Sequence, residues 1–141
     1  MEFLILNGPN LNLLGRREPE IYGHASFEDY LEALRAAFPA DSISYYQSNI
    51  EGEIINKLHE AGFKVDGIII NPGGYSHTSV AIADAMKAVP AKIIEVHISH
   101  VFSREEFRKN LVTAPSADGF ICGLGLDVYR LALLNLSGDR K

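Results

Sequence analysis

Glu95 and His97 stand two positions apart within residues 92–98, a stretch that is apolar after Lys92 but for these two. If that stretch is a strand, its period of two puts both side chains on one face of a sheet. A carboxylate beside an imidazole fixes the ring's orientation, which suits it to general acid catalysis; the same two residues also read as an ion pair of no consequence. Other polar residues follow other apolar stretches. Asn7, Gly8, Pro9 and Asn10 come after residues 3–6, residues 71–78, with Asn71 and His77, come after residues 67–70, and Ser99 and His100 come after residue 98. Asn-Gly and Pro-Asn are turn formers before they are ligands, and Gly73-Gly74 also serves a loop that needs positive φ. Turn formation alone gives no reason to gather Asn, His and Glu behind three apolar stretches.

Residues 11–23 have no regular period and carry Gly15, Arg16, Arg17, Pro19, Tyr22 and Gly23. Long irregular loops in small domains are usually lids or binding loops. Tyr22 near an arginine could act as a base. The ordinary phenol pKa is ~10, and lowering it to ~7 takes about 4 kcal/mol of preferential phenolate stabilisation. A desolvated arginine supplies much of that, whereas a surface arginine does not. Gly15 and Gly23 flank the stretch as hinges and Pro19 stiffens its middle, so the loop is expected to close over a ligand.

The elements that must position these residues follow from the alternation of hydrophobic periods. Strands are predicted at residues 3–6, 43–46, 67–70, 92–98 and 119–122, the third without alternation, as in a parallel strand covered on both faces. Helices are predicted at residues 26–38, 48–62, 78–89 and 124–136, with a shorter one at 103–107. Ser26, Ser48 and Ser103, each followed by an acidic residue at the third position, read as helix starts, and Gly62 as a stop. Strands alternating with helices at this spacing make βαβ units. The expected fold is α/β, a flavodoxin-like three-layer sandwich around a five-stranded parallel sheet of order 2-1-3-4-5, with residues 1–141 as a single domain. Right-handed crossovers bring every strand's C-terminal end to one edge. The residues after strands one, three and four then form one patch.

Composition narrows the function classes. The chain has 141 residues, 47% hydrophobic and 22% charged, an ordinary globular balance. A net charge of −5 argues against binding a nucleic-acid backbone. The single Cys122 excludes a disulfide framework and a cysteine-based zinc site, and the five histidines show no metal-ligand spacing, so no metal is expected. GxxxxGK[ST], strand-linked GxGxxG and GxSxG are missing from the sequence, so no nucleotide cofactor is expected. The Met-Glu start lacks a secretory signal's basic region and no apolar run approaches ~20 residues, so neither export nor membrane insertion is expected; the expected place is the cytoplasm.

Seven segments taken together resemble one family. They are residues 6–19 (LNGPNLNLLGRREP), 21–23 (IYG), 47–49 (QSN), 71–79 (NPGGYSHTS), 95–99 (EVHIS), 104–108 (REEFR) and 123–125 (GLG). In this order, over nearly the whole chain, they are similar to type II 3-dehydroquinate dehydratases. The resemblance implies a dodecamer, a tetramer of trimers, that eliminates water from 3-dehydroquinate to give 3-dehydroshikimate in the shikimate pathway. It implies anti elimination through an enolate, with neither cofactor nor metal. Tyr22 matches the base that takes the proton alpha to the ketone, and Arg17 the arginine that holds it as phenolate. Asn10 matches the residue binding the water that stabilises the enolate. His97 matches the acid for the departing hydroxyl, with Glu95 beside it. Asn71, His77 and Arg108 match ligands of the substrate hydroxyls, and the amides of Ile98 and Ser99 match the carboxylate site. Asp84 matches an acidic residue given across the trimer interface to a neighbouring site. His100, Phe102 and Leu111 depart from the family's usual residues. A weakly active relative of the family and a non-catalytic flavodoxin-like module are the alternatives. A receiver module would need acidic residues after strand one and a lysine after strand five, where Asn7 and Gly123 stand.

Overall fold

Strand β3 (Gly67–Asn71) is buried at every position, the burial that its apolar run 67–70 demands. It lies at the centre of the sheet of this computed structural model, which describes residues 1–16 and 26–138. The other strands are β1 (Glu2–Asn7), β2 (Ser42–Gln47), β4 (Lys92–His97) and β5 (Gly119–Cys122). All pair in parallel in the order β2-β1-β3-β4-β5, as expected. Helices α1 (Phe27–Ala37), α2 (Glu51–Ala61), α3 (Val80–Lys87) and α4 (Asp127–Ser137) cover the two faces.

Alternation along the strands sorts the core into two layers. Phe3, Ile5, Ile69, Ile94 and Val96 pack with Phe27, Leu31, Tyr129 and Leu133 of α1 and α4. Leu4, Leu6, Ile68, Ile70 and Ile93 pack with Ile54, Leu58, Ile82 and Met86 of α2 and α3. No helix among the described residues is long and apolar enough to cross a membrane.

Several local expectations need correction. Residues 103–107 form no α-helix. Two 3-10 turns, Val101–Ser103 and Glu106–Lys109, stand there, and Ser103 caps neither. Phe102 and Phe107 are exposed, so the segment has no buried apolar face to sustain a helix. Ser48 does not cap α2. Its hydroxyl accepts from the Ile50 amide (2.9 Å) and donates to Glu53 (2.5 Å), and the helix begins at Glu51. The last helix starts at Asp127 and not at residue 124, because Gly125 has φ +64°, outside helical space. Residues 73–77 form a 3-10 turn ahead of α3, whose cap is Ser79, its Oγ accepting from the Ile82 amide at 2.9 Å. Ser26 does cap α1, through the Asp29 amide at 3.2 Å. Gly62 ends α2 without a left-handed turn. A Cβ there would sit 2.4 Å from the Val89 Cβ, so packing requires the glycine.

Candidate active site

Register places the chemistry at the C-terminal tips. Asn7 pairs with Asn71 across β1 and β3, and His97 with Cys122 across β4 and β5. The β1 tip turns sharply against the β3 tip: the Gly8 amide donates to the Asn71 carbonyl at 2.8 Å, and a Cβ on Gly8 would lie 2.6 Å from the Pro72 carbonyl oxygen. Asn10 follows in the left-handed region, φ +71°, where asparagine is tolerated. Its amide donates to the Asn49 side chain at 3.0 Å. The Gln47 amide group donates to the same Asn49 oxygen and to the Gly8 carbonyl, tying the loop to the end of β2. Leu11 and Leu14 anchor the following segment in the α1/α4 core.

Glu95 and His97 share the α2/α3 side of β4. Glu95 is fully buried, and its Oε2 lies 2.8 Å from His97 Nε2. Its Oε1 accepts from the Thr113 hydroxyl at 2.5 Å. With Nε2 on Glu95, His97 has Nδ1 for exchange with a ligand. His77, on the turn after β3, stacks near the His97 ring at 6.5 Å between centroids. Its Nδ1 donates to the Asn110 carbonyl at 2.9 Å, which makes Nε2 the acceptor of a neutral ring. Desolvation, the largest cause, holds its pKa below the ordinary histidine value, helped by the electrostatic effects of His97 and Arg108 and opposed by the Asn110 bond and Glu95. A neutral imidazole with its acceptor nitrogen free of Asn110 suits a ligand hydroxyl.

The neighbouring tip carries Asn71, whose Oδ1 accepts from the Gly73 amide (3.2 Å) and whose Nδ2 donates to the Tyr129 hydroxyl (3.1 Å). Tyr129 donates in turn to Asn7 Oδ1 at 2.8 Å. Tyr129 comes from α4 and is fully buried, which pushes its phenol far above the usual value. Asn71 therefore keeps the second hydrogen of its NH2 group for a ligand.

Asn10, Asn71, His77, His97, Ile98, Ser99 and Arg108 line one cleft. Arg104, which sequence reasoning did not select, lines it too and donates to Ser99 Oγ at 3.3 Å. Arg108 is also engaged by Glu105, whose carboxyl its hydrogen bond holds below the usual range. The cleft thus offers guanidinium groups, amides and hydroxyl acceptors around a carboxylate-oriented imidazole, a set matched to a small polyhydroxylated acid. Glu95 lies behind His97 and out of the cleft. Asp84 is exposed on α3 and does not line the cleft of its own chain. Arg17 and Tyr22 lie outside the described residues, as does the part beyond Arg16 of the loop 11–23 expected to close. Thr113 and Tyr129 escaped sequence reasoning; a threonine far from any motif and a tyrosine on an apolar helix gave no signal of their partners. Among the described residues no three His, Cys, Asp or Glu side chains are grouped to hold a metal ion.

Comparison with known proteins bears on this cleft. The family model described as dehydroquinase class II matches residues 1–137. A 3-dehydroquinate dehydratase of Caldicellulosiruptor bescii is 54% identical over 136 residues, 94% of each chain. One of Carboxydothermus hydrogenoformans is 50% identical over 138 residues, 96% of this chain and 90% of its own. The crystal structure of a type II dehydroquinase from Butyrivibrio crossotus superposes with a TM-score of 0.94 at 47% identity, covering 98% of both chains. With relatives this similar over nearly the full length, and with the strand-tip cleft built as described, the chain belongs to the class II dehydroquinase family.

Proposed function

We propose that this chain is a hydro-lyase that converts 3-dehydroquinate to 3-dehydroshikimate in the shikimate pathway. The observation that carries the reading is the convergence of Asn10, Asn71, His77, His97, Ile98, Ser99 and Arg108 on one cleft, with Glu95 orienting the imidazole. The substrate has a carboxylate, a ketone and several hydroxyls. The Ile98 and Ser99 amides take the carboxylate, and Asn71, His77 and Arg108 take hydroxyls. Tyr22, held as phenolate by Arg17, removes the proton alpha to the ketone. Charge moves to the ketone oxygen, where a water held by Asn10 stabilises the enolate. As the enolate collapses, the C–O bond to the departing hydroxyl breaks and His97 gives that oxygen its proton. One water leaves, and the base returns its proton to solvent. The residues called on are acids, bases and hydrogen-bond donors, so the reading uses neither metal nor cofactor.

Asp84, exposed on α3 and away from its own cleft, is the residue proposed to reach a neighbouring subunit's site in a trimer, four of which make a dodecamer. The cytoplasm is the proposed compartment. Residues 1–141 are proposed to act as one catalytic domain.

The test is a spectrophotometric assay for the conjugated enone. Purified protein mixed with 3-dehydroquinate is expected to give a steady rise in its absorbance, unaffected by a chelator. Tyr22→Phe is expected to lose at least 10²–10⁴-fold in turnover, roughly the contribution of a general base. An absorbance that stays flat with folded wild-type protein overturns the reading; a Tyr22→Phe variant with over half of wild-type turnover overturns the assignment of the base. A chain that elutes as a monomer at micromolar concentration overturns the assembly.

A further inference from the structure

Glu95 is buried without exposure, and a buried carboxylate has to have its oxygens satisfied. One oxygen faces His97 Nε2, and the other receives the Thr113 hydroxyl. Thr113 is itself fully buried, although it belongs to a short irregular stretch between two 3-10 turns, Glu106–Lys109 and Ala114–Ser116. What holds it there is the turn after β3. The Val112 and Thr113 amides both donate to the Ser76 carbonyl, at 2.7 and 3.4 Å. Ser76 is fully buried and closes its own turn through the Gly73 carbonyl. One step along the same turn, His77 donates to the Asn110 carbonyl. Residues 110–113 thus touch both histidine walls of the cleft: His77 at one end and, through Thr113, the Glu95–His97 pair at the other.

From this geometry we infer that Thr113 is a positioning residue for the acid. Its O–H pins the Glu95 carboxyl in the rotamer that presents Oε2 to His97, and Glu95 in turn fixes the His97 ring. Without the hydroxyl, Oε1 has no donor, and the carboxyl can rotate to share its two oxygens between the ring and whatever else it finds. The ring then loses the single orientation from which it gives up its proton. Substrate contacts are spared, because Thr113 does not line the cleft. This inference rests on the hydro-lyase reading for its kinetic consequence but not for its structural one.

The experiment compares Thr113→Val, which keeps the shape and removes the donor, with Thr113→Ser, which keeps the donor. Thr113→Ala replaces the valine variant if that one does not fold. Turnover of 3-dehydroquinate by the donor-less variant is expected to fall about tenfold to hundredfold, the range for a lost partner of a working group. KM is expected to stay within about threefold, and the serine variant to recover most of kcat. A second readout needs no turnover. In protein with 15N-labelled histidine, the His97 Nε2–H proton bonded to Glu95 is expected as a downfield resonance that survives in Thr113→Ser and is broadened or moved in Thr113→Val. A donor-less variant with unchanged kcat and an unmoved resonance overturns the inference. So does a serine variant as impaired as the valine one, which would mean that volume matters and the hydroxyl does not. Inactive wild type with the expected resonance pattern overturns the hydro-lyase reading and leaves Thr113 as the orienting group.

Discussion

Two buried polar networks flank the central strands at the same edge of the sheet, and they are built to different standards. On the α2/α3 face, the Glu95 carboxyl has both oxygens filled, by His97 and Thr113. On the α1/α4 face, the Tyr129 hydroxyl links Asn7 to Asn71, yet Asn7 Nδ2 and the Tyr45 hydroxyl beside Asn7 reach no full hydrogen-bond geometry among the described residues. The difference follows the cost of failure. An unsatisfied neutral amide or hydroxyl costs about 1–3 kcal/mol, which a well-packed aromatic cluster can offset. Phe27 supplies that cluster, stacking on Tyr45 and meeting Tyr129 edge-on, both at 4.9 Å. A carboxylate left unpaired in the same place costs considerably more. The first network therefore orients the proposed acid, and the second mainly sets geometry and stability.

The largest effect that sharpens this contrast is expected from the first network. His97→Asn should reduce turnover by about 10²–10⁴-fold, the loss typical for a positioned acid. In the proposed mechanism the acid acts after proton abstraction, so exchange of the substrate's alpha proton with solvent deuterium should outlast net dehydration. That exchange is followed by NMR of recovered substrate. A variant with wild-type steady-state turnover would show that another group, His100 being the nearest histidine in sequence, supplies the proton.

Tyr129→Phe should have a smaller effect of a different kind. It leaves Asn7 Oδ1 and one Asn71 hydrogen without their partner, for an expected loss of about 1–3 kcal/mol of stability in a denaturant titration. Asn71 is then free to turn its amide, so KM should rise more than kcat falls. Unchanged stability, or a loss confined to kcat, would break the division of labour between the two networks.

How far each network could be read in the sequence also differs, for a physical reason. Glu95 and His97 were legible because a strand's period of two fixes relative direction locally. Thr113 was not, because it reaches Glu95 across 18 positions from an irregular segment held by the Ser76 carbonyl. Tyr129 reads as one more apolar residue of α4; only the packing of that helix against β3 and β4 brings its hydroxyl to two asparagines. The sheet order was legible because β3 is apolar up to its last residue, Asn71, and the alternation of strands and helices leaves few arrangements. Ser103 and Glu106 misled because a cap signal says nothing about whether a buried face exists behind it. Gly125 misled in the other direction: helical periodicity from residue 124 hides a glycine whose φ is positive.

The smallest effect bears on His77, which belongs to neither network but touches the first through residues 110–113. Its pKa is held below the ordinary value, chiefly by burial, so the folded protein binds a proton at His77 less readily than the unfolded chain does. Below about pH 6.5, the ordinary histidine value, the unfolded chain takes up the proton first. Stability should therefore fall as the pH is lowered through that value and towards the depressed folded one, and the loss should level off below it. The ring is only partly buried, so solvent screening keeps the effect modest. Protonation also converts Nε2 from an acceptor to a donor and adds charge near Arg108. KM should rise over the same acid interval even where kcat is still governed by other groups. His77→Gln retains a hydrogen-bonding side chain that does not titrate. Thermal melts of both proteins between pH 5 and 8 should converge as acid is added, and the wild-type rise in KM should be flattened in the variant. Parallel melting curves across that interval would mean that His77 titrates alike in the folded and unfolded chain, and that hydroxyl recognition at this wall does not depend on a neutral ring.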